Sequence, residues 1–295
     1  MVKIEILNET EEKIQILLSK TDRSFANALR RSLISDTPKM AIDSVTFQLG
    51  TKEQDEEIWE TTGPLPDEMI AQRLAMIPIP TVHDKFHFQD ECPNCKDVVE
   101  EERGCVECQM IYTCVVFGSE DGRWVTAGDM KYLGEGSLEI PDEYKSIPIT
   151  KLLKGQMIEF YATAIMGRGK EHTKWSPVCG VSFHPRRMGV VNNKKKSKIL
   201  WDMDLQITAK DFDKDGKLKD IDKVAILTDE LNHVGEGTEA SREFDDAITL
   251  EEVSGEFILE FETDGSMKPK VAFMKAVEEL AGRFGSLEQD ISAAL

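Results

Sequence analysis

The chain has no apolar run approaching the roughly 20 residues needed to cross a bilayer. Residues 1–10 alternate charged and apolar side chains, so no secretory leader is expected there and a cytoplasmic location is. Basic side chains are in short supply: 36 Lys and Arg stand against 55 Asp and Glu, a net charge of -19. Nonspecific grip on nucleic acid is driven by counterion release and needs clustered cations. A chain this acidic is a poor candidate for holding DNA by itself, and within a nucleic-acid machine its place is away from the template. No Ser/His/Asp order and no paired carboxylate stands out, so no catalytic residue is assigned. Cysteine is nearly absent too. Of six, five fall between Cys92 and Cys114, and in a reducing compartment such clustering suggests metal before disulfides.

What remains is the composition of a soluble globular protein, 40% hydrophobic and 31% charged, with 295 residues enough for about two domains. Val2, Ile4 and Ile6 alternate with charged neighbours, and Ile14, Ile16 and Leu18 repeat the period of two. An antiparallel hairpin with one wet face is expected. Asp22 can N-cap a helix running to about residue 35, with Pro38 beyond its end. Phe25, Leu29 and Leu33 form its apolar stripe. Arg30 and Arg31 lie beside that stripe and suit either solvent or the carboxylates of a larger partner.

Further along, residues 42–49 read as a strand, 53–57 as an acidic loop and 65–76 as a short helix. Residues 110–117, 147–153 and 157–165 read as strands, and 118–136 as turn-rich. Residues 184–247 are charged and loop-rich, resembling an insertion or small lobe. The last helix carries the sharpest period. Phe273, Val277, Leu280, Phe284, Leu287 and Ile291 are spaced 4, 3, 4, 3, 4, an a/d seam with Pro269 near its start. Gly282 and Gly285 weaken it by up to about 1 kcal/mol each, so it needs a surface to lie on. The spacing alone fits its own sheet and a second subunit equally.

Two segments carry metal-ligand patterns. Cys92-Pro93-Asn94-Cys95 and Cys105-Val106-Glu107-Cys108 are CxxC knuckles that can present four thiolates to one tetrahedral ion. Structural zinc is expected there ahead of an iron–sulfur cluster. Cys114 reads as a core thiol, and His83 and His87 as weaker alternatives. The second pattern is Asp211, Asp213, Asp215, Gly216 and Asp222, which nearly matches a calcium loop. Against it, Asp222 replaces the bidentate Glu, Lys219 holds a usual ligand position, and residues 201–208 alternate like a strand. Gly167-Arg168-Gly169-Lys170 lacks the spacing of a phosphate loop. His184 to Arg187 and Lys194 to Lys198 form a basic island that suits a mobile surface loop, nucleic acid or an acidic subunit.

Four stretches together resemble the α-like assembly subunits of DNA-dependent RNA polymerase, including the archaeal D subunits and the third-largest subunit of eukaryotic polymerase II. The first runs from Phe25 through Arg30, Arg31 and Leu33 to Ile42. The second runs from Leu65 through Asp67, Glu68 and Arg73 to Ile79. The third is residues 167–178, with Trp175 and Pro177, and the fourth is residues 261–269 and the helix that follows. They stand in family order and span nearly the whole chain.

The resemblance implies an α+β fold whose dimerisation domain, a sheet plus two helices, is discontinuous: residues 1–47 and 248–295. A β-rich domain with the cysteine loop (48–183) is inserted between them, and 184–247 form a small charged lobe. It implies a non-catalytic platform that pairs with subunit L through the first helix and the terminal seam. Subunits N and P and the large catalytic subunits join it, Arg30 and Arg31 face the large subunits, and the catalytic magnesium lies elsewhere. Some relatives carry a ferredoxin-like lobe where this chain has 184–247; without cysteines there, no iron–sulfur cluster is expected. The competing classes are a zinc enzyme, which needs an open coordination position, and a zinc- or calcium-dependent protein-binding module.

Overall fold

A computed structural model describes residues 2–54, 56–134, 138–201, 206–233 and 247–294 as a mixed α+β fold. In chain order the strands and helices are β1 (Lys3–Glu9), β2 (Lys13–Ser19), α1 (Arg23–Ser35), β3 (Pro38–Phe47), β4 (Thr51–Gln54), β5 (Glu57–Glu60), α2 (Asp67–Ala75) and β6 (Gln109–Phe117). There follow β7 (Arg123–Thr126), β8 (Lys131–Tyr132), β9 (Pro148–Leu152), β10 (Met157–Arg168), β11 (Val178–Val191) and α3 (Lys194–Trp201). The chain ends with β12 (Lys217–Leu218), α4 (Ile221–His233), β13 (Ile248–Thr263) and α5 (Pro269–Ala294). Among the described residues no helix is long and apolar enough to cross a membrane.

The hairpin expected at the start is present as β1 and β2. The Asp22 carboxylate accepts the Phe25 amide at 2.8 Å, the N-cap that lets α1 begin one residue later. Three expectations are corrected. Residues 53–57 belong to the β4–β5 hairpin, whose ladder pairs Thr51 with Glu60 and Gln54 with Glu57; residue 55 lies outside the described residues. The 184–247 region is less loop-rich than its charge suggests. β11 runs on to Val191, and α3 and α4 follow. Of its strand-like stretch 201–208, Trp201 closes α3 and residues 202–205 lie outside the described residues, as do residues 234–246 of the region. The turn-rich stretch 118–136 contains β7 and β8, its residues 135 and 136 again lying outside.

The chain packs as two units. The first comprises Met1–Leu7, Gln15–Asn27 and Phe183–Leu259. Its five-stranded sheet has the order β1-β2-β13-β11-β12. A small core of Ile207, Leu218, Val224, Leu227, Ala247 and Ile248 binds α4 to the sheet's end.

The second unit comprises Asn8–Ile14, Ala28–Ser182 and Glu260–Leu295. Its four-stranded sheet has the order β3-β10-β6-β8, antiparallel at each described pairing. β6 shows why the sheet forms: Met110, Tyr112, Cys114 and Val116 are buried while their neighbours are less so. This period of two puts one face into the core and the other toward solvent. Ile70 and Leu74 of α2 close that core with Met40, Ile42 and Phe160.

Candidate metal centre and docking helix

The two CxxC segments form matching turns. Cys95 and Lys96 donate their amides to Cys92 O at 3.1 and 2.9 Å, and Cys108 and Gln109 donate theirs to Cys105 O at 3.1 and 3.0 Å. Each turn therefore holds its two thiols on one side. Cys92, Cys95 and Cys108 are buried and Cys105 is partly so. Neighbouring sulfurs lie 3.6 Å apart for Cys92 and Cys105, 3.7 Å for Cys105 and Cys108, and 3.8 Å for Cys95 and Cys108. A tetrahedron with metal–sulfur bonds of about 2.3 Å has edges of about 3.8 Å, so the spacing suits one ion held by four thiolates. No disulfide competes: all six cysteines are free.

Amides also point at the sulfurs. Cys105 N reaches Cys108 Sγ at 3.2 Å and Glu107 N reaches Cys105 Sγ at 3.4 Å. Burial pushes the Cys108 and Cys92 thiols up. Burial also raises Cys105, but the Glu107 amide and the neighbouring thiols outweigh it and hold that thiol low. Three buried thiols with few apolar neighbours of their own are a poor core and a good cage.

The other sequence candidates stay outside. Cys114 is on β6 in the sheet core, its thiol pushed up to about 12 by burial. The His83 ring bonds Pro38 O at 2.9 Å. Among the described residues, the four cysteines are the one cluster of three or more such ligands. The aspartates of the calcium-like loop are not brought together. Asp211 caps a 3-10 turn through Thr208 and pairs with Lys223 at 2.6 Å. Asp213 accepts the Asp215 and Lys217 amides and pairs with Lys219 at 3.1 Å. Asp222 lies in the first turn of α4. Lysine ammonium groups thus face two of the four aspartates, Asp211 and Asp213.

The second candidate is α5. Pro269, Ala272, Phe273 and Ala276 are buried, and Ser32 Oγ donates to Ala276 O at 2.8 Å. Arg168 stacks over Phe88 at 4.1 Å and reaches Glu279 at 3.2 Å. Asp36, itself buried, accepts from Arg283. The turn into the helix is locked as well. Buried Lys39 donates to Lys174 O at 2.8 Å and to Asp264, and Lys174 reaches Asp43 at 2.7 Å while lying over Trp175 at 4.2 Å.

Beyond Arg283 the support ends. Phe284, Leu287 and Ile291 are 61%, 53% and 50% exposed, and of residues 284–294 only Gly285 is not exposed. The seam residues thus divide three ways: Leu29, Leu33 and Phe273 are buried in the chain's own fold, Phe25, Val277 and Leu280 are half-buried, and the last three stand in solvent. Arg31 is exposed and Arg30 is half-buried.

Residues 15–284 match the RNA polymerase Rpb3/Rpb11 dimerisation domain. The chain belongs to that family. It is 30% identical to the DNA-directed RNA polymerase subunit Rpo3 of Picrophilus torridus over 292 residues, 98% of this chain and 99% of the relative. The same identity extends over 298 residues to the Rpo3 subunit of Thermoplasma volcanium, 99% of this chain and 100% of that one. The RNA polymerase II subunit rpb3 of Dictyostelium discoideum is 34% identical over 207 residues, 67% of this chain and 62% of that one.

Family membership gives the glycines of the 167–178 signature a structural reading. A side chain at Gly167 would meet the Trp175 ring at 2.4 Å, and one at Gly169 would meet Ile34 O at 2.0 Å. Trp175 in turn donates to Ile165 O at 3.1 Å. The segment is a close-packed lock rather than a phosphate cradle. Sequence reading missed the Asp36–Arg283 pair, whose partners are 247 residues apart and leave no local pattern.

Proposed function

We propose that this chain is the non-catalytic assembly subunit of a DNA-directed RNA polymerase, working in the cytoplasm. The observation that carries the reading is α5: a helix locked at one end, with an apolar stripe in solvent at the other. The unsupported stretch 284–294 is short enough to be marginal as an isolated helix in water, and three large apolar side chains one turn apart call for a second polypeptide. That partner is an L- or Rpb11-type subunit lying along Val277, Leu280, Phe284, Leu287 and Ile291, with Phe25, Leu29 and Leu33 backing the seam.

Residues 1–47 and 248–295 form the dimerisation domain in this reading, 48–183 the inserted β-rich domain and 184–247 the charged lobe. Small subunits of the N and P kind and the large catalytic subunits, which hold the catalytic metal, join this platform, with Arg30 and Arg31 offered to the large ones. Cys92, Cys95, Cys105 and Cys108 hold one structural zinc. A closed four-thiolate set leaves no open position for chemistry, which argues against a zinc enzyme.

Co-expression with the organism's L-type subunit tests the reading. The native chain is expected to co-purify as a 1:1 heterodimer. Phe284→Asp with Leu287→Asp is expected to abolish the pair while leaving the chain's own melting temperature nearly unchanged, because neither side chain is buried in the monomer. A stable native monomer that ignores the L-type subunit would overturn it.

A further inference from the structure

The acidic chain contains one region where its charge balance inverts. Between residues 186 and 219, ten basic side chains stand against five acidic ones. A cavity of about 330 Å³ opens there, between α3 and the loop before β12. Its floor is apolar: Trp201 and Phe212 meet with ring centroids 5.4 Å apart at 54°, beside Val191. Lys194, Lys198 and Lys214 line it and are exposed. Among the described residues none of these three lysines is in an ion pair.

The geometry points to a binding site for single-stranded nucleic acid, with one base on the Trp201–Phe212 floor and the flanking phosphates on Lys194, Lys198 and Lys214. The volume lies at the small end of ligand cavities, about 300–1,000 Å³, which suits one flat group rather than a folded element. Each nucleotide supplies such a ring with a fixed negative charge beside it. The cations decide between a phosphate and a carboxylate partner. An acidic peptide is recognised best by the planar fork of arginine, and among the described residues no arginine lines this cavity. Arg186 is committed to Glu256 and to Lys219 O. Lysine binds phosphate as a point charge.

The site has little to read sequence with. Asp213 spends its oxygens on the Asp215 and Lys217 amides and on Lys219, and Ser197 Oγ donates to Asn193 O at 2.9 Å. Binding is therefore indifferent to base identity. The chain's overall acidity makes it a poor DNA holder as a whole, but the inversion is local, and at physiological ionic strength charges beyond about 8 Å are screened. The inference is independent of the assembly role.

The test is fluorescence anisotropy of the full chain with a labelled oligo(dT) of about ten nucleotides. Binding is expected at about 50 mM salt, with a log–log salt slope of about -2, from three lysines at roughly 0.7 each. Lys194→Gln with Lys198→Gln and Lys214→Gln is expected to remove most of that slope. Trp201→Ala is expected to weaken binding by about 5- to 150-fold. Trp201→Phe, which keeps a ring in the lobe's packing, is expected to restore most of it. Absence of binding, or binding untouched by the triple lysine variant, overturns the site. So does duplex DNA bound as tightly as the single strand. Equal competition by polyglutamate assigns the surface to an acidic protein instead, and equal competition by thymidine monophosphate assigns it to a free nucleotide; either result overturns the proposal.

Discussion

Two loops in this chain advertise a metal, and they part company in three dimensions. Residues 92–108 carry four thiols at the spacing of a structural zinc site, and residues 211–222 carry five carboxylates, four of them nearly at the spacing of a calcium loop. The thiols converge to within 4.8 Å of one another; the carboxylates do not. The difference lies in what else can satisfy the ligands. A thiol is a weak acceptor and pairs poorly with a lysine, so four converging thiols, three of them buried, have little to do except share an ion. A carboxylate is easily satisfied locally, and here Lys223 and Lys219 answer Asp211 and Asp213 within the same stretch of chain. A metal pattern rich in lysine is therefore weaker evidence than its carboxylate count suggests.

The largest effect expected from breaking this contrast is at the thiol loop. Native protein is expected to carry one zinc per chain by elemental mass spectrometry. Structural zinc contributes about 10–16 kcal/mol in small peptides, and the loop has few apolar contacts of its own. Cys92→Ser, or chelation, is expected to empty the site and open residues 92–108 to limited proteolysis while the β3-β10-β6-β8 sheet stays folded. Native protein without metal and with an equally resistant loop would erase the distinction between the two loops. Cys114→Ser is the control. It is expected to keep the zinc stoichiometry and to cost roughly 1–3 kcal/mol in urea unfolding, the penalty of burying a hydroxyl.

The same contrast explains what was legible in advance. The knuckles could be read because four ligands within 17 residues leave the chain few other ways to satisfy them. The early hairpin, α1 and α5 could be read because alternation, an Asp cap and a 4-3 period act over short distances. The helices α3 and α4 are hidden from the sequence: Lys194 to Lys198 has no apolar period, and dense charge reads as loop. The division of the α5 stripe was hidden too. Phe273 and Leu287 hold equivalent positions in the pattern, yet one is buried and the other exposed, because Ser32, Asp36 and Arg168 come from far away to support the helix only as far as Arg283. Nothing in the local spacing encodes where that support stops.

The carboxylate loop offers a smaller test. Titration calorimetry of the native chain is expected to give no calcium heat at about 1 mM, the weak end of natural calcium sites. Lys219→Met with Lys223→Met frees two carboxylates, and binding no tighter than about 1 mM is expected to emerge. Calcium binding by the native chain would break the comparison, since the lysines would then not be what silences the loop.

The smallest effect is electrostatic. The Lys223 ammonium, together with the Thr208 amide and hydroxyl, holds the Asp211 carboxyl down to about 2, below its ordinary 3.8. A depressed folded-state value means that the stabilisation is present above about pH 3.8 and is lost as pH falls through 2. Asp211 is on the surface with part of its side chain in solvent, so screening keeps the contribution small. Carbon-detected NMR titration is expected to show the depressed value in native protein. In Lys223→Met it is expected to rise toward the ordinary range without reaching it, because the Thr208 bonds remain. An unchanged Asp211 in that variant would mean that the turn, and not the lysine, satisfies the carboxylate, and the contrast between the two loops would rest on backbone geometry alone.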